Sequence, residues 1–199
     1  MQIEKFHRVD PGQWDSFVNS HPRSTVYHTS GWMRVLEQSF GYIQKGIVAF
    51  RNGKIVGGLP LFQVKGIQKR TLVSSPFRDR GGILWRKGCD PVLLIESGLR
   101  ICEEHKFDFL ILKEVHPLPS AIVEKTKLID DQYWVRTVVD LSQDVEVIWK
   151  SLKNNAKGPV KQAIKMGVQL KIGESIEDIQ KFYNMFVETR KQLGVPCFS

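Results

Sequence analysis

The sequence predicts an α/β protein, a mixed sheet flanked by helices, followed by the opening of a second, similar unit that the 199 residues do not finish. Three observations predict it. Strand-like alternation and helix-like periodicity take turns along the chain. Two strand-like runs meet at Asn52-Gly53, a strong two-residue hairpin signal. From Tyr133 onward the strand-helix pattern restarts, which divides the chain into residues 1–132 and 133–199.

The elements follow in order. Gln2 to Val9 reads as a strand, and a short helix opens near Pro11 with Trp14, Phe17 and Val18 inward. Thr29 or Ser30 caps a second helix whose Trp32, Val35, Leu36 and Phe40 share a face, and Gly41 stops it. Ile43–Arg51 and Lys54–Val64 are the two hairpin strands. Thr71–Ser75 and Gly82–Trp85 are strands on either side of the loop SPFRDRGG. Asp90-Pro91 opens a helix to about His105, with Val92, Ile95, Leu99 and Cys102 inward. Phe107–Val115 is a continuous apolar run, expected in the middle of a sheet covered on both faces. A further helix covers about Ala121–Leu128. The second unit reads as a strand (Trp134–Leu141), a basic helix capped by Ser142, a strand (Val168–Ile172) and a helix (Ile176–Leu193) ended by Gly194. Two strands and two helices alone leave a sheet edge and an apolar face uncovered, so either these elements complete the first sheet, or a partner or second copy covers them, or the chain is part of something longer.

Composition narrows the function classes. A hydrophobic share of 42% and a charged share of 25% are ordinary for a soluble globular protein. Runs such as FDFLIL are too short to cross a bilayer and no secretory signal pattern opens the chain, so a cytoplasmic location is expected. Cys89, Cys102 and Cys197 form no CxxC pair and fit reduced thiols. The five histidines show no metal-ligand spacing. The net charge of +8 is concentrated: residues 147–173 carry six lysines and no acid, and residues 63–88 carry seven basic residues against Asp79 alone. Lys150, Lys153, Lys157, Lys161 and Lys165 would fan over roughly a third of the helix circumference, opposite Val145, Ile148, Trp149 and Leu152. Gly158-Pro159 should break or kink that helix, with Pro159 opening the second segment. A solvated face explains such lysines most simply; a phosphate-bearing ligand is the sharper alternative.

Four segments carry a family resemblance: TVYHTSGWMRVLEQSFGY; GKIVGGLPLF with LVSSPFRDRGGIL; TVVDLSQDVEVIWKSLKNNAKGPVKQAIKMGVQL; and FYNMFVETRKQLGVPCFS. In this order, over nearly the whole chain, they resemble the FemAB family, proteins with two GNAT-like (acyl-CoA N-acyltransferase-like) domains in tandem, and within it the BioF2-like acetyltransferase branch. The resemblance implies a first GNAT-like domain and the N-terminal part of a second. It implies transfer of an aminoacyl or acyl group to an amine, with aminoacyl-tRNA or acyl-CoA as donor substrate and no tightly bound cofactor. The acceptor would be a cell-wall (peptidoglycan) or polysaccharide precursor carrying a nucleotide or lipid diphosphate. An activated donor ester leaves positioning and charge stabilisation as the main task, and no nucleophile or triad is visible.

The chain departs from the family in three places. Lysines stand where an arginine-rich run is usual, keeping charge but losing the bidentate fork. Gln63-x-x-Gly66-x-Gln68 lacks the last small residue of a pyrophosphate-cradling loop and leads into a strand, so it reads as a loop without cofactor. The family's second domain continues past the position of Ser199. The candidate phosphate contacts are therefore Lys153, Lys157 and Lys161 on the basic helix, Arg78 and Arg80 in the loop before Gly81-Gly82, and Arg34 beside Trp32, with a cleft between basic loop and basic helix as the expected acceptor site. His28 reads as a helix-entry hydrogen-bonding residue. Besides the transferase, two readings stay open: a non-catalytic GNAT-like module that oligomerises through its second unit, and a nucleic-acid binder, tRNA included, using the lysine face.

Overall fold

The computed structural model describes residues 1–66, 69–77, 81–114, 116–131, 138–195 and 197. The chain forms two compact units, Met1–Asp130 and Asp131–Ser199.

The first unit begins with β1 (Gln2–Lys5), a single 3-10 turn at Phe6–Arg8, and α1 (Pro11–Asn19). Asp10 caps α1 by accepting the Gln13 N–H at 2.8 Å, and Pro11 fills the first helical position, where its missing N–H costs nothing. A second 3-10 turn, Val26–His28, leads to α2 (Ser30–Phe40), capped by Thr29 and ended by Gly41 at φ 63°. The expected strand Ile43–Arg51 is two: β2 (Ile43–Gln44) and β3 (Ile47–Arg51). Its hairpin partner is also two: β4 (Lys54–Leu59) and β5 (Phe62–Lys65). The divisions fall at Gly46 and Pro60. Lys45 N–H donates to Leu61 C=O at 2.7 Å, and a Cβ on Gly46 would lie 2.9 Å from the Leu59 carbonyl oxygen. Close backbone approach at a glycine, with a proline that cannot donate opposite it, thus opens one long hairpin into two sheets. The hairpin tip is as expected, Asn52 and Gly53 both adopting positive φ.

The unit continues with β6 (Arg70–Val73), β7 (Leu84–Trp85), α3 (Pro91–His105), β8 (Phe109–Ile111) and α4 (Ser120–Thr126). One sheet has the order β1-β3-β4-β7, all antiparallel; the other has β2-β5-β6-β8, with β6 and β8 parallel. The β5–β6 turn is closed by Gly66 N–H donating to Lys69 C=O at 2.8 Å. Successive β3 residues feed opposite faces: Ile47 and Ala49 join α3's Leu94, Ile95 and Cys102, while Val48 joins Trp14, Phe17, Met33 and Leu36 of α1 and α2. Gly57 and Gly58 let both layers close in, since a Cβ would meet Cys89 and Leu94 on one face and the Trp14 ring on the other. The expected central strand Phe107–Val115 is instead the three-residue β8 at the end of its sheet's order, with Phe109 and Ile111 exposed; Val115 lies outside the described residues.

The second unit contains α5 (Val145–Ser151), α6 (Asn154–Lys165) and α7 (Ile176–Gln192). The expected basic helix is divided, but not at Gly158-Pro159. Leu152 and Lys153 adopt extended backbone between α5 and α6, and Pro159 sits inside α6, where its ring removes the i→i−4 bond to Asn155. Asp144, not Ser142, stands at the start of α5; Ser142 donates to Asp140 instead. No strand forms at Val138–Leu141 or Val168–Ile172, and the remainder of the first of these, residues 134–137, lies outside the described residues. α7 is as expected, with the Ser175 hydroxyl accepting the Asp178 N–H and Gly194 at φ 64°. No described residue of this unit is buried, and Val145, Ile164, Ile176, Ile179, Phe182 and Leu193 are all largely exposed.

Candidate active site

Adjacent parallel strands in an open sheet create a crevice beyond their carboxyl ends, and ligands in α/β proteins collect there. In the first unit β6 and β8 are that pair, in register Val73↔Ile111. The ladder ends with Ser74 N–H donating to Ile111 C=O at 2.9 Å. One step on, the Lys113 N–H is taken by the Ser74 hydroxyl at 2.8 Å, so a side chain replaces the backbone partner as the strands part. Ser75 follows, 2% exposed, with its hydroxyl lacking a hydrogen-bond partner among the described residues. Glu114 lies just beyond β8.

Glu114 is the chemical centre of this mouth. Its Oε1 accepts the Ile83 N–H at 2.9 Å, and Arg23 Nη2 is 4.0 Å from Oε2. Burial pushes its carboxyl up to about 7; the Ile83 bond and Arg23 only partly offset this. A Cβ on Gly82 would overlap the Glu114 carboxyl group, so any larger residue there would displace that side chain. On the other side of Gly82 stands His28, 1% exposed, with Nε2 3.1 Å from the Gly82 carbonyl and Nδ1 accepting the Thr25 N–H at 3.1 Å. Desolvation lowers this imidazole to about 4, so it is neutral at ordinary pH. Trp14 Nε1–H donates to the His28 carbonyl at 2.6 Å and anchors the turn to the core. Tyr27 and Ser75 flank Gly81, and Trp32, edge-on to Tyr27 at 5.4 Å, has a buried Nε1–H with no hydrogen-bond partner among the described residues. A carboxyl poised near neutrality can take or give a proton.

Two of the three thiols make poor nucleophiles: burial pushes Cys89 and Cys102 up to about 11. Among the described residues no group of three His, Cys, Asp or Glu could hold a metal ion.

The sequence-predicted contacts are placed as follows. Arg34 is on the exposed side of α2; Arg78 and Arg80 lie outside the described residues. Lys153 stands at the start of α6, with Lys157 and Lys161 following at four-residue spacing on it. Lys157 Nζ donates to the Lys150 carbonyl at 2.9 Å, covering an orphan acceptor at the end of α5. Lys150 itself is on the other side of the helix break. Glu114 and Ser75 were not among the sequence candidates, and the one local sign was an acid directly after an apolar strand, FLILKE.

No protein-family model and no curated protein matches the chain. Among solved structures, FemX aligns over 98% of this chain and 51% of its own, with a TM-score of 0.63 and 15% identity. The chain has the fold of FemX. The expected α/β, GNAT-like class and the resemblance to FemAB proteins are therefore borne out at the level of fold, and the chain spans about half the length of FemX. A putative acetyltransferase from Agrobacterium tumefaciens str. C58 aligns over 70% of this chain and all of its own (TM-score 0.45, 14% identity). A ribosomal-protein-alanine N-acetyltransferase from Brucella melitensis biovar Abortus 2308 aligns over 71% and all of its own (TM-score 0.43, 13% identity).

Proposed function

We propose that the chain is a FemAB-like transferase, or part of one, moving an acyl or aminoacyl group to an amine, with Glu114 as the group that handles the proton. The observation that carries this reading is the FemX-like fold over 98% of the chain. An acceptor amine reaches neutral pH as an ammonium and must lose a proton before its lone pair can attack a carbonyl carbon. A carboxyl with a pKa of about 7 is half ionised there and suits that exchange. The C–N bond forms as the bond to the leaving thiol or ribose oxygen breaks, and the leaving group departs with a proton. The donor would be acyl-CoA or aminoacyl-tRNA, bound only as substrate.

The acceptor in this reading is a phosphate-bearing or lipid-linked precursor of the cell wall or a polysaccharide, met in the cytoplasm. Lys153, Lys157 and Lys161, with Arg34, Arg78 and Arg80, are the candidate phosphate contacts. Residues 1–132 would form a first GNAT-like domain and 133–199 part of a second. Calorimetric titration with nucleotide-diphosphate sugars, lipid diphosphates and acyl-CoA analogues tests binding, and transfer of a labelled acyl group to an amine tests the reaction. Binding of none of these ligands would refute it. The alternative, a non-catalytic module that associates through its second unit, is favoured by the exposed Ile176, Ile179 and Phe182 of α7. That alternative predicts a dimer or larger assembly by light scattering and no transfer.

A further inference from the structure

One peptide group stands between His28 and Glu114. The Gly82 carbonyl faces His28 Nε2 at 3.1 Å, and the N–H of the same peptide, on Ile83, donates to Glu114 Oε1 at 2.9 Å. The partners assign the imidazole tautomer. Nδ1 receives the Thr25 N–H at 3.1 Å, with the Thr25 hydroxyl 3.0 Å away, so it must be the bare nitrogen. A carbonyl can only accept, so Nε2 must carry the hydrogen. His28 is held in this orientation by its own backbone: Trp14 Nε1–H fixes its carbonyl, and its ring is 1% exposed. The result is a directed chain of bonds, from the Thr25 N–H through the imidazole and the Gly82–Ile83 peptide to the carboxylate.

We propose that His28 is a positioning residue that tunes Glu114 through the Gly82–Ile83 peptide: its Nε2–H polarises the carbonyl, strengthens the Ile83 N–H as a donor, and so stabilises the ionised carboxylate. Successive hydrogen bonds that point the same way reinforce one another in a low-dielectric interior, by roughly 10–30% per bond. The effect opposes the desolvation that otherwise drives Glu114 upward, and it places the proton affinity of this group under the control of a residue that never touches it. Among the described residues, the other charged or titratable groups near Glu114 include Arg23, 4.0 Å from Oε2, His21 bonded to the Arg23 N–H, and Lys113 and His116 close to it in sequence. Arg23 acts in the same direction as the relay, but on the other oxygen. The role of Glu114 in transfer rests on the proposed function; the relay itself is a property of the first unit.

The test follows the Glu114 side-chain carboxyl carbon by NMR during a pH titration of the whole chain, wild type against His28→Ala and His28→Gln. Removing the donor should raise the Glu114 pKa by about 0.3 unit or more, at least twofold in proton affinity. His28→Gln keeps an N–H in reach of the Gly82 carbonyl and should return the titration toward wild type. An unchanged Glu114 titration in folded His28→Ala overturns the relay. Should His28→Ala fail to fold, the wild-type protein decides: imidazole nitrogen shifts must report the neutral Nε2–H form from about pH 5 to 8, and the Ile83 amide proton must follow the Glu114 titration. An Nδ1–H tautomer, a His28 that charges near its ordinary value of 6.5, or an Ile83 amide blind to Glu114 each refutes the proposal. None of these readouts requires transferase activity, so a failed transfer assay leaves the relay standing and a failed titration leaves the transferase reading standing.

Discussion

Replacing Glu114 by Gln should make the protein more stable while it removes the proposed proton acceptor. The folded carboxyl titrates near 7 against an ordinary value of 4.5. Between those values the folded state holds a proton that the unfolded chain has released, so stability falls as pH rises from about 4.5 to about 7. A displacement of about 2.5 pH units at about 1.4 kcal/mol each amounts to about 3–4 kcal/mol, present below 4.5 and fully lost above 7. Gln keeps an oxygen for the Ile83 N–H and cannot ionise. The expected outcome is equal stability of wild type and Glu114→Gln near pH 4, and an advantage of about 3–4 kcal/mol for the variant near pH 8. Urea denaturation at both pH values measures it. His28, whose lowered pKa makes stability rise with pH between about 4 and 6.5, contributes to both proteins and cancels in the difference. A wild-type-to-variant difference that is the same at both pH values would refute the burial argument and with it the case for Glu114.

Gly58→Ala drives a methyl group into the Trp14 ring, whose nearest atom is 2.6 Å from the new Cβ. It should cost about 1–3 kcal/mol, read as a lowered thermal midpoint. Pro159→Ala restores the N–H that α6 lacks and removes a residue roughly 3 kcal/mol worse than alanine within a helix; far-UV circular dichroism should show more helix, and an unchanged spectrum would argue against a continuous α6. The triple change Lys153→Ala, Lys157→Ala, Lys161→Ala should leave thermal stability nearly untouched and weaken binding of a nucleotide-diphosphate sugar with a shallower salt dependence; undiminished affinity would return these lysines to plain surface charge.

Where local chemistry decides, the sequence was readable. Asn52-Gly53 turns the hairpin, Thr29 caps α2, and Gly41 and Gly194 end their helices in left-handed geometry. Where partners decide, it was not. Ile43–Arg51 and Lys54–Val64 are strand-like throughout, and only the packing at Gly46 and Pro60 divides them between two sheets. Val168–Ile172 alternates as a strand should, yet a strand satisfies its backbone only against another strand, whereas a helix satisfies its own. α5 to α7 therefore form in the second unit where the expected strands do not. The same limit hid the site: Glu114 gains its chemistry from Ile83, Gly82 and Arg23, which lie 31 or more residues away along the chain.

The two units differ most in what they withhold from water. Every buried described residue belongs to Met1–Asp130, and the heat capacity gained on unfolding follows the surface that becomes newly hydrated. At roughly 12–15 cal/mol/K per residue, a chain of 199 residues would show about 2.4–3.0 kcal/mol/K, while 130 residues account for only about 1.6–2.0. A calorimeter would weigh the protein as though a third of it were already unfolded. Its stability curve would be correspondingly flat, and melting would report the fate of the Glu114 mouth rather than of the lysine helix.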